Sequence, residues 1–280
     1  MSDRRLLASN GTYAADELRG SVEAEYFVKG EACRIAVPVA DLRCDPGLGR
    51  LDRQLLYGDR FRVLQRVDGY AFGQSDRGGY VGYVAEAALA DWVAPNSRVF
   101  ARATLGFGAP DLKSPEPLRL PMGARVSVVQ HEDVWARTVC GLHISMAHLA
   151  PQDDQAGDLV AEAEKLLGAP YLWGGNSDLG LDCSGLVQIA CLACGIDCPG
   201  DSDQQLDALG VPLATRTQLR RGDLVFWRGH VAWVADAATL LHANAYHMAV
   251  AYEPIERAVA RIEAQGDGPV IARKRLETST

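Results

Sequence analysis

The sequence predicts an α+β domain preceded by two small all-β barrels, and three features carry that prediction. Through residues 1–150 short alternating stretches are cut by turns, and one order of them recurs. After Pro151 the apolar pattern becomes helical, passes through a segment apolar nearly all round (Ser184 to Cys194), and returns to strands. Charge is split in the same way: residues 1–150 carry 18 basic and 18 acidic side chains, residues 151–280 carry 10 and 18. The net charge of −8 therefore lies wholly in the last part of a 280-residue chain, itself about twice the usual domain length.

The barrels are read from their strands. Residues 1–32 form an N-terminal segment. In the first barrel, 33–92, Cys33 to Val39 is extended, Asp45-Pro46-Gly47 turns, and Arg60 to Val67 alternates polar with apolar. Asp76 to Gly79 turns again before the strand Tyr80 to Val84. The second barrel, 97–150, repeats the order: RVFARATL, a Pro-rich loop APDLKSPEPLRLP, then ARVSVVQ, VWARTVC and HISMAHL. The final domain, 156–280, opens with a helical stripe at 159, 160, 163, 166 and 167, which Gly168 and Pro170 stop. The apolar segment after Cys183 is a buried helix ending at Gly195. From Asp223 the segments DLVFW, HVAWVAD, TLLHAN, MAVAY and PVIARKR form an antiparallel sheet.

Composition narrows the function classes. With 48% hydrophobic and 23% charged residues, bulk disorder, collagen-like repeats and coiled coil are excluded. The acidic balance argues against nucleic acid as a partner. No run of 18 apolar residues exists, so no membrane span is predicted. The N-terminus lacks the apolar core of a secretory signal. Seven cysteines, an odd number, point to a reducing compartment rather than a disulfide framework, and the protein is read as cytoplasmic.

Cys183 stands at the first turn of the buried helix, after the Gly-rich loop Trp173-Gly174-Gly175-Asn176. Free N–H groups and the helix dipole there favour a thiolate, the nucleophilic form, and an N–H of the same turn suits an oxyanion. Position alone leaves an inert packed thiol open. The histidines weigh against that. His230 opens HVAWVAD and His242 lies in TLLHAN, and the two strands form a hairpin about Asp236 to Ala238. If Ala232 pairs with His242, the histidines share a face as diagonal neighbours, roughly 7–8 Å apart; a one-residue slip separates them. In the favourable register His230 is base to the thiol and His242 orients it.

Asp182-Cys183-Ser184-Gly185 before an apolar helix, Arg221-Gly222-Asp223-Leu224, Gly229-His230-Val231, Leu241-His242 and Pro170-Tyr171-Leu172-Trp173-Gly174-Gly175 together resemble the NlpC/p60-type cysteine peptidases of bacterial cell walls. The resemblance covers roughly 155–280. It implies a papain-like core, with Cys183 as nucleophile, His230 as base and His242 as third member. It implies that Tyr171 points its hydroxyl at the nucleophile or oxyanion, that Asp182 and Ser184 contact peptide, and that Ser202 and Gln205 belong to the family's Ser-x-x-Gln segment. Trp173 is read as cleft wall. Where the family often has Pro-Arg before that segment, this chain has Pro199-Gly200-Asp201, so no carboxylate anchor carries over.

The layout, with barrels of SH3-like type, resembles the γ-D-glutamyl-L-diamino acid endopeptidases that recycle murein peptides. This implies L-Ala-γ-D-Glu-diamino acid peptides as substrate, with the free L-Ala amine met by a barrel pair, for which Tyr80 and Asp59 are the candidates. The diamino acid stays open. A non-catalytic wall- or peptide-binding protein and a thiol amidase or acyltransferase are the alternatives. No cofactor is expected. Cys191, Cys194 and Cys198 have C-x2-C-x3-C spacing, but the first two sit inside the apolar helix and no His with ligand spacing follows closely, so the set reads as packing rather than as a metal site.

Overall fold

Alternation decides the first part of the chain and helical periodicity the second, and the folded protein divides accordingly into two units, Met1–Asp153 and Asp154–Thr280. The structure, a computed structural model, describes residues 3–47 and 49–276. Residues 1–2, 48 and 277–280, which belong to the N-terminal segment, the first barrel and the end of the final domain, lie outside the described residues.

The first unit is all β. Strand Arg60–Val67 buries Phe61, Val63 and Leu64 and joins a seven-stranded antiparallel sheet. In spatial order its members are Leu51–Leu56, Val39–Arg43, Val81–Ala85, Tyr70–Ser75, Arg60–Val67, Glu31–Ile35 and Leu89–Asp91. Ile35, Leu42, Leu55, Phe61 and Val84 fill its core. The N-terminal segment is no separate piece, because Ala8 and Ala15 pack on Leu64, Phe72 and Val81. The second module holds a five-stranded and a three-stranded sheet around Val99, Leu120, Val126 and Ile144. The end of its Pro-rich loop is in fact a strand, Leu118–Pro121, paired with Ala103–Phe107.

Two expectations for this unit are corrected. Asp59 is 0% exposed, and its carboxylate accepts two bonds of 2.7 Å from Arg77 and one of 2.8 Å from the Leu56 amide. Tyr80 is 1% exposed and packs among the core side chains of the first sheet. Neither is placed to receive a substrate amine. A Gly-Asp turn and an aromatic in a strand look alike in sequence whether their polar ends face in or out, and here the buried Arg77 supplies the countercharge that lets Asp59 face in.

The second unit packs helices on one antiparallel sheet. Helix α1 (Leu159–Glu164) is N-capped by Asp158, whose side chain accepts from the Val160 and Ala161 amides. Helix α2 (Cys183–Ala193) is buried almost throughout, as its apolar composition requires, and α3 (Ser202–Ala208) follows. Beside the short ribbon Asn176–Ser177/Gly180–Leu181, the strands of the main sheet are β1 (Val211–Pro212), β2 (Asp223–Trp227), β3 (His230–Asp236), β4 (Thr239–Asn244), β5 (Ala249–Pro254) and β6 (Ala272–Arg275). They form a six-stranded sheet in the order β1-β6-β2-β3-β4-β5. Helix α4 (Ile255–Ala264) was not anticipated. Its Ile255, Ala258, Val259 and Ile262 cover Val225, Trp227, Val234 and Leu240 of the sheet. Helix α2 packs on β3 and β4, with α1 against it.

Candidate active site

The start of α2 is built by its own sequence. Asp182 has extended backbone and accepts from the Gly185 amide (2.6 Å), the Ser184 hydroxyl (3.0 Å) and the Gly174 amide (2.9 Å). The carboxylate thereby ties the Gly-rich loop to the first helical turn. A Cβ on Gly185 would stand 2.6 Å from the Gly175 carbonyl oxygen, so backbone meets backbone and only glycine fits. Cys183 is the first residue of the helix and is 7% exposed. Asp182 and Ser184, expected to touch peptide, are buried and bonded into this helix start instead. Gln205 is likewise structural: its amide donates to the carbonyls of Ser184 and Pro199, both at 2.9 Å. Ser202 opens α3, half-buried, and is not among the residues lining the cavity described below.

The histidines come from the next hairpin. Trp227 pairs with His230 across a two-residue turn, Arg228-Gly229, where Gly229 takes a φ of 74° that side chains rarely adopt. Trp233 pairs with Leu241 and Val234 with Leu240, the register that sets His242 opposite Ala232. His230 and His242 thus share a face, and the rings meet: His230 Nε2 lies 2.8 Å from His242 Nδ1.

Sequence reading missed what stands behind them. His242 Nε2 lies 3.1 Å from Glu253 Oε2, and Arg261 donates to both carboxylate oxygens of Glu253, at 2.9 and 2.7 Å. Glu253 lies two residues beyond Ala251, the partner of His242 on β5, so the strand period puts both on one face. The only signal in the sequence was that spacing, and it needs the register to be read.

Hydrogen-bond chemistry assigns the tautomers. Desolvation pushes Glu253 up, but the bonds from His242 and Arg261 outweigh it and leave the carboxyl at about 2. An ionised carboxylate only accepts, so His242 carries its proton on Nε2 and presents a bare Nδ1. His230 must then donate from Nε2, which leaves its Nδ1 bare as a base. Burial, then the neighbouring His242 and Arg261, pull His230 down to about 3 against a weaker upward pull from Glu253. Burial likewise lowers His242, against the upward pull of Glu253. Both rings are neutral at physiological pH, as proton acceptance requires.

Tyr171 closes the group. Burial first, then the charges of Cys183 and Asp182, raise its phenol, so it stays a donor. With Trp173, Arg228, His230, Tyr246 and Asp267 it lines a cavity of about 480 Å³. Trp173 is 63% exposed there, as suits a wall residue. Among the described residues His242, His247 and Glu253 offer metal-ligand atoms within 4.8 Å of one another, but the Arg261 guanidinium already holds both oxygens of Glu253 and opposes a cation. Cys191, within α2, and Cys198 are both buried, and the contact with Cys198 together with burial pushes the Cys191 thiol up.

A thiol at the tip of a buried helix, with a histidine pair on the sheet that the helix covers, defines the papain-like class of cysteine hydrolase folds. Comparison with known proteins narrows this. Residues 168–262 match the NlpC/P60 family and residues 42–89 the bacterial dipeptidyl-peptidase SH3 domain. The chain therefore carries a domain of the NlpC/P60 cysteine peptidase family behind an SH3 domain of bacterial type. Dipeptidyl-peptidase 6 of Lysinibacillus sphaericus is 34% identical over 31% of this chain and 32% of its own length. The γ-D-glutamyl-L-lysine dipeptidyl-peptidase of Bacillus subtilis (strain 168) is 39% identical over 34% of each. The chain thus spans about a third of these curated relatives. An NlpC/P60 family protein of Bacillus cereus ATCC 10987 superimposes with a TM-score of 0.74 at 19% identity, covering 88% of this chain and 99% of that one, which establishes the shared fold. Among the described residues no helix is long and apolar enough to cross a membrane.

Proposed function

We propose that the chain is a cytoplasmic cysteine peptidase of murein peptide recycling, hydrolysing the γ-D-glutamyl–diamino acid bond of peptides with a free N-terminal L-Ala. The observation that carries the reading is the hydrogen-bonded series His230–His242–Glu253, which leaves His230 Nδ1 as a neutral base on the sheet that α2 covers. The names of the relatives, dipeptidyl-peptidases and γ-D-glutamyl-L-lysine dipeptidyl-peptidases, favour this substrate class.

Cys183 Sγ gives its proton to His230 Nδ1 and attacks the side-chain carbonyl of γ-linked D-Glu. The oxyanion is met by backbone N–H groups at the start of α2 and by the Tyr171 hydroxyl. The imidazolium, its charge offset by Glu253 through His242, protonates the departing amine of the diamino acid. Water, with its proton taken by His230, then cleaves the thioester and restores the thiol.

Incubation with L-Ala-γ-D-Glu-diamino acid peptides and mass analysis of products tests the reading. L-Ala-γ-D-Glu should appear with the unaltered chain and not with Cys183→Ala. If an N-acetylated peptide is cleaved equally fast, the free-amine requirement fails; if no peptide is cleaved, the whole reading does.

A further inference from the structure

The cavity beside His230 holds two charged side chains with no hydrogen-bond or ion-pair partner among the described residues. Arg228, at the apex of the two-residue hairpin turn, is exposed and forms no hydrogen bond or ion pair among the described residues. Asp267, beyond α4, is exposed, and its carboxylate exerts only an electrostatic pull on Arg261. The remaining charges there are accounted for, since Arg261 is held by Glu253 and His230 is neutral. Two exposed aromatic side chains line the same cavity, Trp173 and the 61% exposed Tyr246, whose ring centroid lies 4.6 Å from the Arg261 guanidinium. A volume of about 480 Å³ suits a small ligand. One unpaired cation, one unpaired anion and apolar walls complement a zwitterion on a hydrocarbon stem.

We propose that this cavity seats the leaving diamino acid, Arg228 taking a carboxylate and Asp267 an ammonium at the far end of its side chain, so that the chain prefers a diaminopimelate-type residue over lysine. The inference rests on the peptidase reading above and adds the identity of the leaving group. Lysine offers only the ammonium at that end, and Arg228 repels it. The tight turn holds the Arg228 backbone next to the base, so a leaving group protonated by His230 reaches it directly.

The test compares kcat/KM on L-Ala-γ-D-Glu-meso-diaminopimelate and L-Ala-γ-D-Glu-L-Lys for the unaltered chain, Arg228→Gln, Arg228→Glu and Asp267→Asn. A charge-assisted bond predicts a preference for diaminopimelate of roughly tenfold, lost in Arg228→Gln through the diaminopimelate peptide while the lysine peptide stays within about twofold. Arg228→Glu should invert the preference, and Asp267→Asn should weaken both peptides. Equal loss on both peptides in Arg228→Gln would place Arg228 on the carboxylate they share and overturn the proposal, as would an absent preference in the unaltered chain. If neither peptide is cleaved, the peptidase reading falls, and calorimetry with free meso-diaminopimelate and L-lysine decides the site alone. Selective binding of diaminopimelate, lost in Arg228→Gln, supports it; equal or no binding refutes it.

Discussion

Replacing Glu253 by Gln keeps the shape of the side chain and removes the charge that orders the two imidazoles. The carboxylate accepts from His242 at 3.1 Å and from Arg261 at 2.9 and 2.7 Å, so its neutralisation weakens three charge-assisted bonds at once. Each loses about 1 kcal/mol in going from an ionic to a neutral acceptor, so a stability loss of about 2 kcal/mol is expected after relaxation. The kinetic effect has a separate origin. A Gln amide can offer His242 either its oxygen or its nitrogen, so the preference for the tautomer with a bare Nδ1 drops by about 1.4 kcal/mol, a factor of about ten in the competent population. We expect kcat/KM on a cleaved peptide to fall about tenfold, with KM little changed, and Glu253→Asp to recover part of it. Arg261→Gln is the control: it should cost comparable stability yet keep activity within about threefold, because Glu253 stays ionised. Urea midpoints, steady-state kinetics and imidazole nitrogen shifts by NMR read the three effects. A folded Glu253→Gln variant with kcat/KM within about twofold of the unaltered chain would refute the tautomer argument.

Cys183 alkylation by iodoacetamide should rise less steeply between pH 6 and pH 8 than that of an ordinary thiol with pKa near 8.5, which gains roughly 75-fold, because the helix start favours the thiolate and His230 takes the thiol's proton as it attacks. Cys44, whose thiol burial raises, is the internal reference, and a steep rise at Cys183 would mean an unactivated thiol. Stability of the second unit should fall on acidification. His230 titrates at about 3 folded against 6.5 unfolded and Glu253 at about 2 against 4.5, so the unfolded chain binds more protons through both windows. The stabilisation is full above pH 6.5 and is lost as pH falls through 3 and then 2; a urea midpoint that does not change from neutral pH to about pH 4 contradicts this. Asp182→Ala should destabilise by about 2 kcal/mol, because it removes the helix cap and the loop tie together, and thermal unfolding checks it.

Much of the site was legible because its chemistry sits in short local patterns. Cys183 opens an apolar run after a Gly-rich loop, and that run reads as a buried helix with the thiol in its first turn, from residues close together in the chain. Helix α4 was legible too and was overlooked, since Pro254 precedes apolar residues at 255, 258, 259 and 262. Asp59 shows the opposite case: a polar residue in a turn is drawn inward because a buried partner, Arg77, awaits it, and that partner lies in another turn of the chain.

Local sequence determined the secondary elements, the position of the thiol at a helix tip and the division into β and α+β units, because propensity, capping and periodicity act over a few residues. The tertiary structure decided the strand register that joins His230 to His242, the carboxylate behind them and the unpaired charges of Arg228 and Asp267 in one cavity. These depend on which residues meet across strands and helices far apart in the chain, and a shift of one residue in the pairing of β3 with β4 would set His230 and His242 on opposite faces.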